Sequence, residues 1–311
     1  MISEFISLCH SSLRESGIRG ISTIGRSVAN FCYNESKYHV SHRTRSTNIF
    51  EREWDVLIIL DCATIEMLRQ IKSEYRFINT VNKHISPGSC SNEWMRRTFT
   101  DAYSDEMKRT LHITANTSSE KHISTAQFLD LIEVWKKGFD PEIGTIPAST
   151  VTNHAIHYYR EYDPDRAIIH YMQPHLPFVQ AEMDSNSVTP EGLDGGGLTL
   201  KELNQHGYTR QELWEASVEN LRYALDSVET LLSNMSANRV VITSDHGQAF
   251  GEEGIWSHPC HTYSDILVEV PWCVTSATDK GERQPDLDES TESESDDQMS
   301  VDEKLRALGY K

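Results

Sequence analysis

Five apolar runs of strand length recur along the chain, each bounded by polar residues. They lie within WDVLIILDCA (54–63), TLHITAN (110–116), RAIIHYMQ (166–173), RVVITSDHG (239–247) and LVEVPWCVT (267–275). Unbroken apolar runs of this kind are typical of strands covered on both faces of a parallel sheet. The last run contains Pro271, which favours an edge position because proline cannot donate to a strand ladder.

The residues between these runs have the apolar spacing that is typical of helices. The predicted helices cover residues 63–71, 126–138, 149–162 and 209–235. The longest carries one apolar stripe, formed by Trp214, Val218, Leu221, Leu225, Val228 and Leu232. Such a stripe marks a helix that packs on a core. Strands alternating with helices predict an α/β fold with a mostly parallel central sheet sandwiched by helices.

The net charge limits the kinds of molecule that the protein is expected to bind. The chain has 311 residues with 29 Lys and Arg against 47 Asp and Glu, a formal net charge of −18. Such a surface disfavours binding to a nucleic-acid backbone. An acidic exterior also suits a salt-rich cytoplasm, and we hold a halophilic origin as a hypothesis.

Cysteine usage and hydropathy bear on the cellular compartment. The six cysteines have neither CxxC pairs nor the spacing of secreted modules: Cys9, Cys32, Cys62, Cys90, Cys260 and Cys273. Reduced thiols and a cytoplasmic location are therefore predicted. No segment reaches the ~18 consecutive apolar residues of a membrane span, and the first residues lack the apolar stretch of a signal peptide. The oligomeric state stays open.

Polar residues that can bind a metal follow three of the predicted strands. Asp61 follows VLIIL, Asp245 and His246 follow VVITS, and His175 follows AIIHYMQP. We expect them to converge, because ligands bind at the carboxyl ends of strands in such sheets. Two carboxylates and an imidazole suit Zn²⁺ or Mn²⁺ better than Ca²⁺. An isolated Asp-His pair has a simpler interpretation, a turn cap beside a satisfied histidine.

A further ligand and a nucleophile are predicted in SPGSCSNEWMRRTF (86–99), a loop rich in serine that opens a helix. A hydroxyl at a helix N-terminus can coordinate a metal and attack a tetrahedral anion. A bound metal makes this easier by lowering the pKa of the hydroxyl. The alternative is an ordinary serine cap with Glu93 in a capping role.

The order of these motifs resembles that of the alkaline phosphatase and sulfatase superfamily. SDHGQAFGEEGIWSHP is similar to the SDHGESLGE…LHG segment of phosphoethanolamine transferases. LIILD, GSCSNEW, QPHLPF, SDHG and a downstream histidine follow the order of the superfamily, and VEVPW resembles its RVP strand. The closing VDEKLRALGY resembles a common sulfatase C-terminus. The likeness covers about residues 54–275 and that tail.

The resemblance implies roles for the nucleophile and the metal ligands. Asp61, Asp245 and His246 match the metal-binding residues. The nucleophile, itself a ligand, falls in GSCS. Spacing to the helix favours Ser91, whereas the glutamate spacing of members similar to lipoteichoic-acid synthase favours Ser89.

The resemblance also implies roles for two histidines. His175 in PHLPF matches the histidine that contacts the transferred group or the leaving oxygen. His258 matches the downstream histidine of the transferases, where it would bind phosphate or a second metal. A loop histidine and a surface histidine without a catalytic role are the alternatives.

Three departures from the sulfatase pattern favour a hydroxyl nucleophile and a zinc or manganese centre. The CxPSR sequence is absent because SNEW follows Cys90. LDCA has one acid where sulfatases have a pair, and DHG replaces their DNG. The phosphatase and phosphotransferase branches are therefore favoured over formylglycine chemistry.

The composition along the chain and the superfamily resemblance together predict the domain organisation. Residues 1–50 would form an N-terminal arm of unassigned role, and 51–277 a sulfatase-like catalytic domain. Residues 278–299 would be an acidic disordered linker, and 300–311 a C-terminal helix. The glycine-rich segment 184–202 is expected to be a surface excursion.

The sequence thus predicts a metal-dependent, sulfatase-like hydrolase of phosphate or sulfate esters that forms a covalent serine intermediate. One alternative is a phosphoethanolamine- or phosphoglycerol-type transferase acting on glycan or lipid precursors. The other is a catalytically inactive binding protein with the same fold. The substrate would be a small-molecule, glycan or lipid ester, and Arg96 or Arg97 would give this anion a basic entrance.

Overall fold

A seven-stranded sheet forms the centre of the computed structural model, which describes residues 46–180, 199–262, 264–285 and 287. Within these residues the strands are β1 (Val56–Leu60), β2 (Asn82–Ile85), β3 (Thr110–Thr114), β4 (Asp130–Glu133), β5 (Arg166–Tyr171), β6 (Ala237–Thr243), β7 (Ala249–Phe250), β8 (Trp256–Ser257) and β9 (Glu269–Ala277). The order across the sheet is β2-β9-β6-β1-β5-β3-β4, and β7 and β8 form a separate hairpin. The adjacent strands β6, β1, β5, β3 and β4 are parallel. β9 runs antiparallel to both of its neighbours.

Helices cover both faces of this sheet. They are α1 (Ile65–Ile71), α2 (Ser91–Thr98), α3 (Ser104–Met107), α4 (Ser119–His122), α5 (Ala148–Tyr162), α6 (Leu200–Gln205), α7 (Arg210–Leu232) and α8 (Asp265–Val268). β1 is buried along its whole length. Its alternate side chains belong to different apolar clusters: Val56 packs with residues of α1, α5 and α7, and Leu57 with residues of α2. The predicted mostly parallel α/β fold is confirmed.

Local sequence explains where the longest helix begins. The Thr209 side chain accepts a hydrogen bond from the backbone N–H of Glu212, and the Glu212 carboxylate accepts one from the backbone N–H of Thr209. This capping box satisfies donors that a helix N-terminus otherwise leaves free. The predicted apolar stripe then packs α7 on the sheet, with Leu221 and Leu225 fully buried.

The prediction of an edge position for the strand with Pro271 is wrong. β9 lies inside the sheet, between β6 and β2, and Pro271 pairs with Lys83 of β2. A proline can occupy a paired strand where its missing N–H is not needed by the ladder. β2 itself reads NKHI and escaped prediction because its sequence lacks an apolar run.

The predicted helix over 126–138 is also wrong. This segment contains β4, flanked by the short 3₁₀ turns Thr125–Gln127 and Val134–Lys136. β4 adds to the parallel sheet beside β3, where Leu131 is buried. A short strand between two turns places apolar side chains on the core at spacings that also fit a helix, so periodicity alone could not separate the two structures.

Several predicted segments lie wholly or largely outside the described residues. They include residues 1–45 of the arm, most of the excursion 184–202, and residues 288–311 with the greater part of the linker and the C-terminal helix. Ile49 and Phe50, at the end of the predicted arm, are buried against the body. Across the part of the chain that the structure describes, no helix has the length and apolar character to cross a bilayer.

Candidate active site

The carboxyl ends of three parallel strands meet the N-terminus of α2 at one edge of the sheet. Asp61 follows β1, Asn116 lies just beyond β3, and Asp245 and His246 lie just beyond β6. Ser91 is the first residue of α2. All five residues are buried, with at most 2% of their surface exposed. The structure therefore brings together the residues that sequence reasoning grouped as metal ligands, and adds Asn116.

The Ser91 hydroxyl lies at the centre of this set. Its Oγ donates to Asp245 Oδ2 at 2.7 Å and lies 3.1 Å from His246 Nε2. Asp61 Oδ2 is 3.4 Å from the same Oγ. Asn116 Nδ2 donates to Asp61 Oδ2 at 2.7 Å and lies 3.0 Å from Ser91 Oγ. We call Ser91, Asp61, Asp245 and His246 the inner group.

The loop before α2 directs the neighbouring serine elsewhere. A Cβ at Gly88 would lie 2.4 Å from the backbone nitrogen of Trp94, so glycine is needed for the loop to pack on the first helical turn. Ser89 Oγ donates to Glu93 Oε2 at 2.9 Å, and its backbone N–H donates to the same oxygen at 3.1 Å. The N-cap of α2 is Cys90, which makes no side-chain cap bond, so the ordinary serine cap of the alternative interpretation is not found at this helix. Glu93 instead accepts both hydrogen bonds from Ser89.

A backbone contact determines which nitrogen of His246 carries the proton. His246 Nδ1 lies 3.0 Å from the carbonyl oxygen of Gly247, which can only accept, so Nδ1 is the donor. When the ring is neutral, the Nε2 lone pair therefore points toward Ser91. This is the tautomer that a metal-binding imidazole requires.

Charge at the inner group is dominated by buried carboxylates and histidines. Burial raises the pKa of Asp61, but this effect is outweighed by neighbouring imidazoles, which hold the pKa at about 2. The imidazoles belong to His246, His175, His170 and His258. Asp61 is therefore ionised at neutral pH although it is fully buried.

His170 is a buried histidine that sequence reasoning did not select. It lies in β5, with Nε2 3.9 Å from both Asp61 Oδ2 and Asp245 Oδ2. Neither of its ring nitrogens has a hydrogen-bond partner among the residues that the structure describes. Burial lowers the pKa of His170, while the two carboxylates oppose that shift. A buried polar atom without a partner is costly, so this arrangement favours a further group between the three side chains.

The donor atoms fit a divalent cation. Atoms of Asp61, His170 and Asp245 lie within 4.8 Å of one another, as do atoms of Asp61, Cys62 and His246. Carboxylate and imidazole ligands are those that zinc and similar transition metals use. A cation there would compensate two buried negative charges and satisfy the His170 nitrogen. The inner group is therefore a candidate metal centre.

The two predicted histidines of the loops lie together beside the inner group. His175 Nε2 is 3.1 Å from His258 Nε2, and the His258 ring stacks on His246 with centroids 4.5 Å apart. His175 Nδ1 lies 2.7 Å from the Leu176 carbonyl oxygen and donates to it. Together with Cys62, the pair forms a third group of potential metal ligands. We call His175 and His258 the outer group, which can bind anionic oxygens or a second cation.

A buried asparagine that the sequence analysis missed fixes the loop of His175. Asn220 lies in α7, and its Nδ2 is 3.0 Å from the His175 carbonyl oxygen and 3.2 Å from those of Pro174 and Pro177. Its Oδ1 accepts a hydrogen bond from the Val179 backbone N–H at 3.1 Å. One amide therefore ties the loop that follows β5 to the long helix.

The prediction that the cysteines are reduced is wrong for two of them. Cys90 and Cys260 form a disulfide across a sequence separation of 170 residues. Among the described residues Cys62 and Cys273 are free and buried, and the two N-terminal cysteines lie outside that part of the chain. No local motif could reveal a pairing between such distant positions. Disulfides persist in oxidising compartments, so the predicted cytoplasmic location loses its argument from cysteine usage.

Of the two arginines proposed as a basic entrance, one is engaged inside the protein. Arg97 pairs with buried Glu93 at 3.0 Å and donates to the Pro87 carbonyl oxygen at 3.0 Å. Arg96 is exposed. The entrance hypothesis therefore depends on Arg96.

Comparisons with known proteins support the fold and nothing finer. No protein-family model and no curated protein matches the chain. The integral membrane protein lipooligosaccharide phosphoethanolamine transferase A (EptA) from Neisseria meningitidis superposes with a TM-score of 0.52 and 13% identity, over 72% of this chain and 47% of that one. This chain has the fold of that transferase. The resemblance predicted from the order of the motifs is thereby confirmed.

Two further solved structures are similar to this chain at lower scores. The soluble domain of the same Neisseria meningitidis transferase gives a TM-score of 0.49 at 14% identity, over 72% of this chain and 76% of that one. BT1596, a 2-O GAG sulfatase, gives 0.47 at 13% identity, over 71% and 63%. The present chain spans about half the length of the complete transferase.

Proposed function

We propose that this chain is a metal-dependent hydrolase of phosphate or sulfate esters that passes the phosphoryl or sulfuryl group through Ser91. The supporting observation is the position of the Ser91 hydroxyl, within 3.4 Å of side-chain atoms of Asp61, Asp245 and His246. A serine that only caps a helix bonds to backbone N–H groups. Ser91 Oγ instead meets carboxylates and an imidazole, which is the setting of an activated nucleophile.

The side chains suggest how each step would proceed. Asp245 Oδ2 accepts the Ser91 hydroxyl proton at 2.7 Å and is placed to hold it while Oγ forms a bond to phosphorus or sulfur. The ester oxygen leaves in the same step, taking a proton from the site or from water. Water then attacks the covalent ester, which releases phosphate or sulfate and restores the Ser91 hydroxyl.

The metal and the outer group would stabilise the charge that develops. When bound, zinc or manganese would lower the pKa of the serine hydroxyl and neutralise negative charge on nonbridging oxygens. Asp61, Asp245, His246 and Ser91 would hold it, and the buried His170 nitrogen would be a further ligand. His258 stacks on His246, and its Nε2, now 3.1 Å from His175 Nε2, could instead donate to a nonbridging or leaving oxygen.

A transferase is the second candidate, favoured by the likeness to the Neisseria meningitidis enzyme, whose name describes transfer of phosphoethanolamine. In that case an alcohol of a glycan or lipid precursor would replace water in the second step. The covalent serine ester and the metal would be common to both reactions. Identification of the acceptor would therefore decide between the two candidates.

Three chromogenic esters test the proposal: p-nitrophenyl phosphate, bis-p-nitrophenyl phosphate and p-nitrophenyl sulfate. Zinc- or manganese-loaded wild type should hydrolyse at least one, and Ser91→Ala should lose that turnover. Ser89→Ala should retain most of it, because Ser89 Oγ bonds to Glu93 and not to the inner group. Loss in Ser89→Ala with retention in Ser91→Ala would contradict the assignment. A metal-free, inactive wild type would favour the binding-protein alternative.

A further inference from the structure

A disulfide joins the helix of the proposed nucleophile to the segment that carries His258. Cys90 is the residue immediately before Ser91 and occupies the N-cap position of α2. Cys260 follows His258 by two residues and bonds to Cys90. One covalent bond therefore connects two walls of the candidate site. Residues 257–262, which carry His258, are called the segment below, and the bond fastens them to α2.

Other contacts of this segment also join it to the loop before α2 and to the first turn of α2. His261 Nδ1 lies 3.0 Å from Glu93 Oε1. Ser89 Oγ lies 3.0 Å from the Pro259 carbonyl oxygen, and the Thr262 backbone N–H donates to Ser89 Oγ at 3.3 Å. Since Ser89 and Glu93 belong to the loop and first turn of α2, these contacts depend on the segment staying where the disulfide holds it.

Backbone conformation on both sides of His258 indicates constraint. Ser257 has φ of 60° and His261 has φ of 59°. Residues with a side chain rarely adopt this left-handed region, and they keep it where surrounding contacts enforce it. Release of the segment would allow both residues to relax and would move His258.

We propose that the Cys90–Cys260 disulfide is a positioning element that keeps His258 against His246 and His175, so that reduction of this bond lowers turnover. The inference rests on the proposed function for its catalytic effect. Cys90 adjoins Ser91 along the chain, but the disulfide supplies no atom to the proposed reaction. It acts through His258, whose ring it holds 4.5 Å from that of His246.

The reduction would begin at the accessible sulfur. Cys260 is exposed, whereas Cys90 is buried. A thiolate of a dithiol reductant would attack Cys260 Sγ, break the S–S bond and release Cys90 as a thiol. The second thiol of the reductant would then displace Cys260, leaving two protein thiols and one oxidised reductant. Two electrons and two protons pass to the protein.

The test uses the full chain, oxidised and zinc-loaded, before and after treatment with tris(2-carboxyethyl)phosphine, which water converts to the phosphine oxide as two thiols form. Turnover of the best aryl ester, zinc content and hydrogen–deuterium exchange of residues 255–262 are measured. We expect kcat to fall about tenfold or more because misplacement of a catalytic group is costly. Exchange of the segment should rise while zinc content is unchanged, and reoxidation should restore all values.

Variants separate positioning from general destabilisation. The double variant Cys90→Ser/Cys260→Ser should have the low kcat of reduced wild type and should not respond to the phosphine. Cys273→Ala, which alters a free thiol in β9, should respond as wild type does. The kcat of each variant is measured at 25 °C on protein shown to be folded and zinc-loaded. A bond with only a structural role would alter the melting temperature without altering kcat per bound zinc.

Two results would overturn the inference. One is the appearance of two new thiols with kcat and segment exchange both unchanged. The other is a rise in exchange with kcat unchanged, which would show that the bond holds the segment but not the chemistry. If the oxidised protein hydrolyses none of the esters, the proposed function fails, and unchanged exchange on reduction would independently refute the constraint.

Discussion

The inner group and the outer group of the candidate site are built from different parts of the fold. Ser91, Asp61, Asp245 and His246 lie at strand ends and a helix start, and each exposes at most 2% of its surface. His175 and His258 lie in loops and are half-buried. The sheet and α2 fix the first set, whereas the second depends on Asn220 and on a disulfide.

This difference indicates a division of labour. Side chains on packed strands and helices keep their geometry closely, which suits metal binding and nucleophilic attack. Loop side chains can differ between proteins of one fold, which suits recognition of the substrate or the acceptor. Changes in the inner group should therefore abolish the chemistry, and changes in the outer group should reduce it.

The largest effect is expected at the inner group. Asp245→Asn removes a negative ligand and the acceptor of the Ser91 proton, so turnover should fall at least about 1,000-fold. Bound zinc should fall with it, as measured by elemental analysis of dialysed protein. Asp165→Asn, at an exposed carboxylate, is the matched control and should change neither quantity. If Asp245→Asn kept its zinc and its turnover, the inner group would not be required for metal binding or for the chemistry, and the expected difference between the two groups would be refuted.

An intermediate effect is expected at the outer group. His258→Ala removes one N–H donor beside His246, so kcat should fall by roughly 100-fold. Zinc in the inner group should stay bound, as elemental analysis would show. His157→Ala, on the surface of α5, serves as the control. Loss of all zinc in His258→Ala would mean that the two groups form a single metal centre.

The smallest effect on turnover, and a measurable one on stability, is expected at Glu93. Burial raises the pKa of this carboxyl, but the hydrogen bond from His261 and the charge of Arg97 outweigh burial and hold the pKa at about 2, against an ordinary value of 4.5. Because the folded pKa is the lower one, ionised Glu93 stabilises the fold above about pH 4.5, and that contribution is lost as the pH falls toward 2.

Denaturation of metal-free protein at several pH values tests this expectation. Glu93→Gln should lower the free energy of unfolding by up to about 3 kcal/mol at pH 7, and the deficit should shrink between pH 4.5 and 2. Glu120→Gln, on an exposed residue of α4, is the control. A deficit that does not vary with pH would show that charge at Glu93 is not the stabilising feature.

The sequence was sufficient to group the inner residues because two strong signals coincide there. Unbroken apolar runs identify buried parallel strands, and a carboxylate follows each of two runs: Asp61 directly after β1, and Asp245 two residues after β6. Parallel topology then brings these ends to one edge. The same rule would have selected Asn116, which ends the run TLHITA, if amides had been considered beside metal ligands.

The remaining features depend on tertiary contacts that no local pattern encodes. His170 sits inside an apolar run and resembles a core histidine until the two carboxylates are placed beside it. Asn220 is one polar residue within a long amphipathic helix, and its partners lie 41 to 46 residues away. The Cys90–Cys260 bond spans 170 residues. The roles of all these side chains stay predictions until variants are measured.

Anomalous X-ray diffraction at the zinc edge, on crystals of the full chain grown with zinc, would locate the bound metal. We expect a strong peak about 2.0–2.2 Å from oxygen or nitrogen atoms of Asp61, Asp245, His246 and Ser91. A peak elsewhere, with no density among these four side chains in protein that hydrolyses an ester, would show that the inner group is not the metal centre.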